Sequence, residues 1–400
     1  MAKSFQMCAS SKHAVFLGLL MFCVLTICFA QEAKKPKPYA VRGYVKYLPS
    51  TSITGPPINE VFTNNLLHNR FNFQYFPHKN WTVTFHARNR LFWGEETKLN
   101  PQFAELVDQY DGLVDLSVRW VDRSSVLLHS VVDRAYVEWR HKKWEARLGR
   151  QRINWGINTV WNPNDLFNAF NYLDFDYEER PGSDAARLTY YIGPMSNLQI
   201  AVVPDTQLNR SVAAAYYGFN RWNYDWQVIS GYYRGDATLG LGWAGNLKDA
   251  GFKGEVSWFI PTAQSPDSQQ TVNASMAVDY LFKGVYLSAA TMYNSRGATQ
   301  PGTAAGGLVG TELSPKNLFP SPWSFIITAS GQATPLLSIS GAVIYATENH
   351  LLIASPSATY SIVTNWDLDL IAQVFFSQNP LTDDFQHQGS GVFLRLKWSY

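Results

Sequence analysis

Past residue 30 the chain has no cysteine, because Cys8, Cys23 and Cys28 all fall within the first thirty residues. A mature protein cut after them carries neither thiol nor disulfide, which excludes cysteine nucleophiles and thiolate metal sites. Charge is scarce as well. Asp, Glu, Lys and Arg make up 16% of the 400 residues and the formal net charge is +2, so overall charge points to no particular partner. No apolar run beyond Phe29 reaches the length of a spanning helix, yet aromatics make up 15% of the chain. Such a chain has to meet a membrane through strands. Also missing are HExxH, GxSxG, a glycine-rich phosphate loop and a basic patch of nucleic-acid type. Neither a cofactor, a catalytic residue nor a nucleic-acid partner is therefore expected.

What is present starts with a targeting segment. Lys3, Lys12 and His13 form a basic start, Ala14–Phe29 is apolar with Thr26 its only hydroxyl, and Cys28-Phe29-Ala30 puts small residues where a signal peptidase reads. Cleavage is expected after Ala30. Residues 1–30 then form a signal peptide, 31–40 a short periplasmic leader, and 41–400 the folded unit.

That unit alternates with period two. In Leu67–Tyr75, Leu67, Phe71, Phe73 and Tyr75 share one face while His68, Arg70, Asn72 and Gln74 share the other. In Trp81–Trp93 the apolar face carries Trp81, Val83, Phe85, Ala87, Leu91 and Trp93, and the polar face His86, Arg88 and Arg90. A wall that turns apolar side chains to lipid and polar ones to a wet lumen shows this pattern. About eighteen such segments can be marked, from Val41–Leu48, Leu66–Phe76 and Trp81–Trp93 to Leu351–Ile362, Trp366–Ser377 and Gly389–Tyr400. Alternate joints are short, among them Pro77–Asn80, His141–Lys143, Phe282–Gly284 and Val363–Asn365. The others include every long connection, notably Pro49–Asn65, Gly94–Ser130, Ile157–Ser183 and Ser295–Ser321. Leu113–Val121 also alternates, but as a wall strand it would reverse the parity of every later joint, so it is placed in a loop. The expected fold is all-β: a transmembrane, antiparallel, up-and-down barrel of about 18 strands, with short periplasmic turns and long extracellular loops.

Aromatics beside the short turns fit the interface belt. Tyr75 is expected to face Trp81 across one turn and Trp139 to face Trp144 across the next, with Tyr280, Trp366 and Trp398 at similar depth. In the last segment Val392, Leu394, Leu396, Trp398 and Tyr400 share a face opposite Arg395, Lys397 and Ser399. This resembles the C-terminal assembly signal of outer-membrane proteins. The resemblance implies the outer membrane as location, and the lipid bilayer and the barrel-assembly machinery as partners.

The passage from Gly149 to Tyr191, GRQRINWGINTVWNPNDLFNAFNYLDFDYEERPGSDAARLTYY, together with RAYVEWRHKKWEARLGRQ before it, resembles the porin-like barrels grouped with alginate-export proteins. The likeness covers Arg134–Gly193 and implies passage of a small polar or acidic solute. Physically, the loop near 154–183 is too apolar for a free hairpin, since Trp155, Trp161, Leu166, Phe167, Phe170, Tyr172 and Phe175 need somewhere to pack. Inside the barrel mouth they would narrow the channel. Asn158, Asn162, Asn164, Asp165 and Asn168 would either cap short helical turns, with Trp161-Asn162-Pro163 as a helix start, or join Trp155 and Trp161 as a platform for a sugar.

Arg70, Arg88, Arg90, Arg134, Arg140, Arg147 and Arg187 are expected on the lumen wall, with Glu138 and Glu145 among them. Such a set serves anion selection or internal pairing equally well. Asp174, Asp176 and Glu178 offer alternating oxygen ligands for calcium, or a solvated acidic loop. The function expected is a channel for a polar solute, possessing an anionic or saccharide preference; a barrel hydrolase and a closed structural barrel are the alternatives.

Overall fold

The computed structural model describes residues 37–56, 58–108, 112–169, 176, 182–297, 314–348, 350–379 and 383–400. The expected signal peptide and most of the leader lie outside these residues. The unit Tyr39–Tyr400 consists of strands β1 (Tyr39–Thr54), β2 (Val61–His78), β3 (Trp81–Gly94), β4 (Ser117–Arg123), β5 (Val126–His141), β6 (Trp144–Gln151), β7 (Ser183–Gly193), β8 (Ser196–Val203), β9 (Val212–Arg221), β10 (Tyr224–Tyr233), β11 (Asp236–Leu247), β12 (Ala250–Pro261), β13 (Thr271–Phe282), β14 (Val285–Asn294), β15 (Trp323–Thr334), β16 (Leu337–Ala346), β17 (Leu351–Val363), β18 (Trp366–Gln378) and β19 (Phe385–Ser399). Two short helices, α1 (Glu95–Leu99) and α2 (Phe103–Val107), follow β3. Each strand pairs antiparallel with its neighbour, and β19 returns to pair with β1, which closes the wall.

Eighteen strands make the closed barrel and each overlaps one of the expected segments. β4 is the correction. The alternation at Leu113–Val121, expected in a loop, forms a strand over Ser117–Arg123, but only β5 pairs with it. The upper half of β5, Val126–Val131, takes β4 on one edge, while its lower half, Ala135–His141, takes β6 on that same edge. β3 runs the whole length of the other edge, so the parity of the wall is untouched. A second difference is length: β1 and β2 run on to Thr54 and back to Val61, which turns much of the expected Pro49–Asn65 loop into paired strand.

The short turns hold two residues. At Trp222-Asn223 and at Lys283-Gly284 both residues have positive φ, of 56° and 63° and of 48° and 84°. That is the geometry whose twist matches a right-handed hairpin. Outward faces are apolar, and aromatics mark both rims. Near the turns these include Trp81, Trp144, Tyr280 and Trp366; at the opposite rim, Tyr47, Trp258 and Trp323. The girdle is joined across neighbouring strands rather than across turns. Trp81 lies opposite Trp139 in register, Trp144 packs on Tyr190 with ring centroids 4.6 Å apart, and Trp366 stacks on Trp398 at 6.1 Å. The expected pairs Tyr75–Trp81 and Trp139–Trp144 do not form, because Tyr75 is opposite Val83 and Trp139 opposite Ala146.

The closing seam has its own fastening. Tyr400 and Gly43 exchange both backbone hydrogen bonds, at 2.9 and 3.0 Å, and the Tyr400 hydroxyl donates to the Arg70 carbonyl at 3.1 Å. The ring lies over Gly43, where a Cβ would sit 2.2 Å from the Arg70 carbonyl oxygen and 2.5 Å from the Tyr400 hydroxyl. Only glycine leaves that groove open. Gly43→Val should therefore destabilise the closed barrel by about 1–3 kcal/mol through overpacking. A heat-modifiability gel should show the variant unfolding at lower temperature than the parent.

Candidate functional site

The lumen contains two segments folded in from the long connections. The first leaves the wall after Gln151, whose side-chain amide donates to the Ala185 carbonyl at 2.9 Å. Its neck is stapled by Asn168: the side-chain oxygen accepts from the Ile153 amide at 2.9 Å and the Nδ2 donates to the Ser183 hydroxyl at 3.1 Å. From there the described part, residues 152–169, forms a strap across the inner wall.

Apolar packing fixes it at two places. Ile153, Trp155 and Leu166 join Ala185, Ala201, Val212, Ala214, Ile229, Tyr233 and Phe259 on the β7–β12 side. Trp155 meets Phe167 edge to face at 4.9 Å and donates its Nε1 hydrogen to Gln199 at 3.0 Å. Val160 and Trp161 reach the β14–β17 side and pack with Met292, Ile326, Ile344, Leu351 and Ile353. There they also meet Leu318 and Phe319 of the second infolded segment, with Trp161 and Phe319 at 6.0 Å. That segment, residues 314–321, belongs to the expected outer loop Ser295–Ser321, and its sequence carries no surplus of aromatics to mark it as lumenal. It is tied to the wall by Lys316 on Asp236 at 2.5 Å and by Asn273 donating to the Pro315 carbonyl at 2.6 Å.

Between the apolar patches the strap is held by polar wall residues. Glu255 accepts from the backbone amides of Ile157 at 2.5 Å, Asn158 at 2.7 Å and Asn164 at 2.9 Å. Asn158 donates to Ser275 at 2.5 Å, Asn164 donates to the Leu241 carbonyl at 3.0 Å, and the Ser275 hydroxyl donates to the Trp161 carbonyl at 3.0 Å. Asn162, Asn164, Asp165 and Asn168 are buried. No helix forms over Trp161-Asn162-Pro163: the Asn158, Asn164 and Asn168 side chains bond to the wall and the neck, and the Asn162 side chain caps nothing. Trp155 and Trp161 are 3% and 4% exposed, so their rings are taken up by packing and offer no face to a sugar.

The wall facing the strap carries the charges. Arg70, 1% exposed, donates to Asp133 at 2.7 Å, and Arg88 approaches the same carboxylate at 3.4 Å. Asp133 is the extra residue of a bulge in β5: His86 pairs with Arg134 but Ala87 with Val132. Strict alternation puts Asp133 on the lipid side, which is why it was missed; the bulge turns it inward. Arg134 donates to the Asp133 carbonyl at 2.7 Å, and Arg90 to the Val107 carbonyl at the end of α2 at 3.0 Å.

Lower down, Arg140 and Arg187 donate to Glu145 at 2.5 and 2.6 Å, Arg147 donates to Glu138 at 2.5 Å, and the Tyr191 hydroxyl donates to Glu145 at 3.0 Å. Of the nine wall residues expected from the sequence, Arg70, Arg88 and Arg134 thus meet at Asp133, Arg140, Arg147 and Arg187 meet at Glu138 and Glu145, and Arg90 reaches the end of α2. The band continues through residues that were not singled out for the lumen. Arg150 pairs with Asp184 at 2.9 Å, Arg395 with Asp369 at 2.8 Å, and Lys46 with Asp176 at 2.6 Å. The signal was available for Lys46 and Arg395, which sit on the polar face of an alternating strand, whereas Arg150 falls on the alternate face of β6 with Trp144, Ala146 and Leu148.

Asp176 is where the long loop reaches β1 and β2. Burial alone would raise its carboxyl, but the His68 hydrogen bond and the Lys46 ammonium outweigh that and hold it down to about 2. Of the three carboxylates expected for calcium, Asp174 and Glu178 lie outside the described residues, and Asp176 is bound to Lys46. No group of three or more metal-ligating side chains occurs among the described residues.

The fold matches solved structures. Acinetobacter baumannii OccAB4 superposes with a TM-score of 0.59 at 8% identity, over 92% of this chain and 100% of that one. Pseudomonas aeruginosa OprD gives 0.57 at 10% identity, over 90% and 95%. Pseudomonas aeruginosa OpdK with vanillate gives 0.54 at 10%, over 90% and 99%. The protein has a porin-like β-barrel fold of the OprD type. No family model and no curated protein matches, so the alginate-export likeness read at Arg134–Gly193 gains no support.

Two outcomes are expected. Glu145→Ala strands three basic partners beside a lost carboxylate and should destabilise the barrel by about 3 kcal/mol, read from denaturant unfolding in detergent. The Asp176 contact, because its carboxyl titrates below the ordinary value of 3.8, adds stability that is complete above that pH and lost as pH falls through about 2. Protease cleavage of the 152–182 loop, measured on the folded barrel with an acid protease, should stay slow at pH 4 and rise near pH 2, and Asp176→Asn should show the fast rate throughout.

Proposed function

We propose that the protein is an outer-membrane channel that passes small polar solutes, with a preference for anions, between the strap and the basic band. The observation that carries this reading is the composition of that band. Around Asp133 two guanidinium groups share one carboxylate, and around Glu138 and Glu145 three share two. In these pairs guanidinium groups outnumber carboxylates five to three, and low-dielectric walls focus the field of the band along the passage.

The OprD-type fold supports the outer-membrane placement, as OpdK was solved as an outer membrane protein. OpdK with vanillate, a carboxylate, supports an anionic cargo. In this reading residues 1–30 direct export, and the last strand, with Leu394, Leu396, Trp398 and Tyr400 on its outer face, engages the barrel-assembly machinery and then the bilayer. A passive channel needs no catalysis.

In planar bilayers under a potassium chloride gradient, the reversal potential should report chloride over potassium. Arg147→Gln combined with Arg187→Gln should bring the ratio several-fold closer to one. A cation preference in the unmodified protein would sink the anionic assignment, and a barrel that passes no current at all would favour the closed structural alternative.

A further inference from the structure

Glu255 is an odd residue to find on this wall. It is fully buried in the middle of β12, yet among the described residues its hydrogen-bond partners are all backbone amides of the strap, with no cation in a salt bridge to it. A buried carboxylate without a counter-ion carries a desolvation cost that hydrogen bonds must offset. Its two oxygens receive both limbs of one bend, Ile157 and Asn158 on one side and Asn164 on the other. The bend between them carries Val160 and Trp161 to the β14–β17 wall. One carboxylate thus closes the base of the bend that carries Val160 and Trp161 to the far wall.

Resting on the channel reading above, we propose that Glu255 is the positioning residue that sets the bore: its carboxylate clasps the strap to β12 and so fixes how far the strap stands from the basic band. Its role needs an acceptor at both oxygens. A glutamine offers one acceptor and turns an amide donor toward a backbone N–H, so it cannot hold both limbs. The neighbouring bonds, Asn158 to Ser275 and Asn164 to Leu241, follow from the placement that the clasp imposes.

The test uses the full-length barrel, with correct folding checked by heat-modifiable migration. Glu255→Gln should raise single-channel conductance about twofold or more, with added flicker, and should admit larger neutral sugars in liposome swelling. A rescue separates bore-setting from mere stability. Asn158 and Ser275 meet at 2.5 Å, and the chain has no cysteine beyond Cys28, so Asn158→Cys with Ser275→Cys gives a single disulfide between strap and wall. Oxidised in the Glu255→Gln background, this lock should return conductance to the parent level, and a reductant should release it again. The disulfide yield itself should fall several-fold when Glu255→Gln is present. Unchanged conductance and unchanged yield in the folded variant, or a lock that fails to restore conductance, overturns the clasp. If the parent passes no current, the channel reading falls while the yield still decides whether Glu255 places the strap.

Discussion

Inside acyl chains every unpaired peptide group costs several kcal/mol, so a strand wall there survives only if its first and last members meet. The pairing of β1 with β19 meets that demand, and all else in the barrel presupposes it. Closure sets two different solvents on the two faces of each strand. The period-two pattern, the aromatic rims and the inward charges are the sequence's answer to that division. The seam also explains why Gly43 lies where it does. With the Tyr400 ring across it and the Tyr400 hydroxyl on the Arg70 carbonyl, the last residue couples the closing pair to the third strand in line, β2.

Within the wall, charge and packing are divided by side. The basic band runs along β18, β19, β1–β3 and β5–β7, where arginines pair with Asp133, Glu138, Glu145 and Asp369. The opposite side, from β8 to β17, shows the lumen alanine, serine, isoleucine and phenylalanine, and it is this side that receives the strap and the 314–321 segment. Each infolded piece covers wall surface that water would otherwise wet. Its own polar atoms are met by Glu255, Ser257, Asn273 and Ser275, spaced along two adjacent strands.

Much of the wall was legible because burial on one face repeats at a fixed spacing, as at Leu67–Tyr75 and Trp81–Trp93. The nine expected wall residues, Arg70 to Arg187 with Glu138 and Glu145, were readable for the same reason. What alternation hides is a break in itself. The bulge at Asp133 shifts the count by one, and only the improbability of an aspartate among acyl chains hinted at it. β4 was misplaced since a strand may alternate without crossing the membrane. The strap's tendency to fold inward showed in its surplus of aromatics, whereas its partners did not, since Glu255 and Ser275 lie about a hundred positions away and look like any other inward polar residue. The 314–321 segment has few aromatics, and its placement depends on contacts that no local pattern announces.

One edge of β5 has two tenants, β4 above and β6 below, and this arrangement separates the plumbing from the pipe. Because β6 ends at Gln151, the chain can turn into the lumen at mid-height, and β4 takes over the vacated upper edge. The strap is in effect an insert attached at two points, Gln151 and Ser183. Its length and chemistry can drift, or be exchanged by an engineer, with no change of register in any strand that touches lipid.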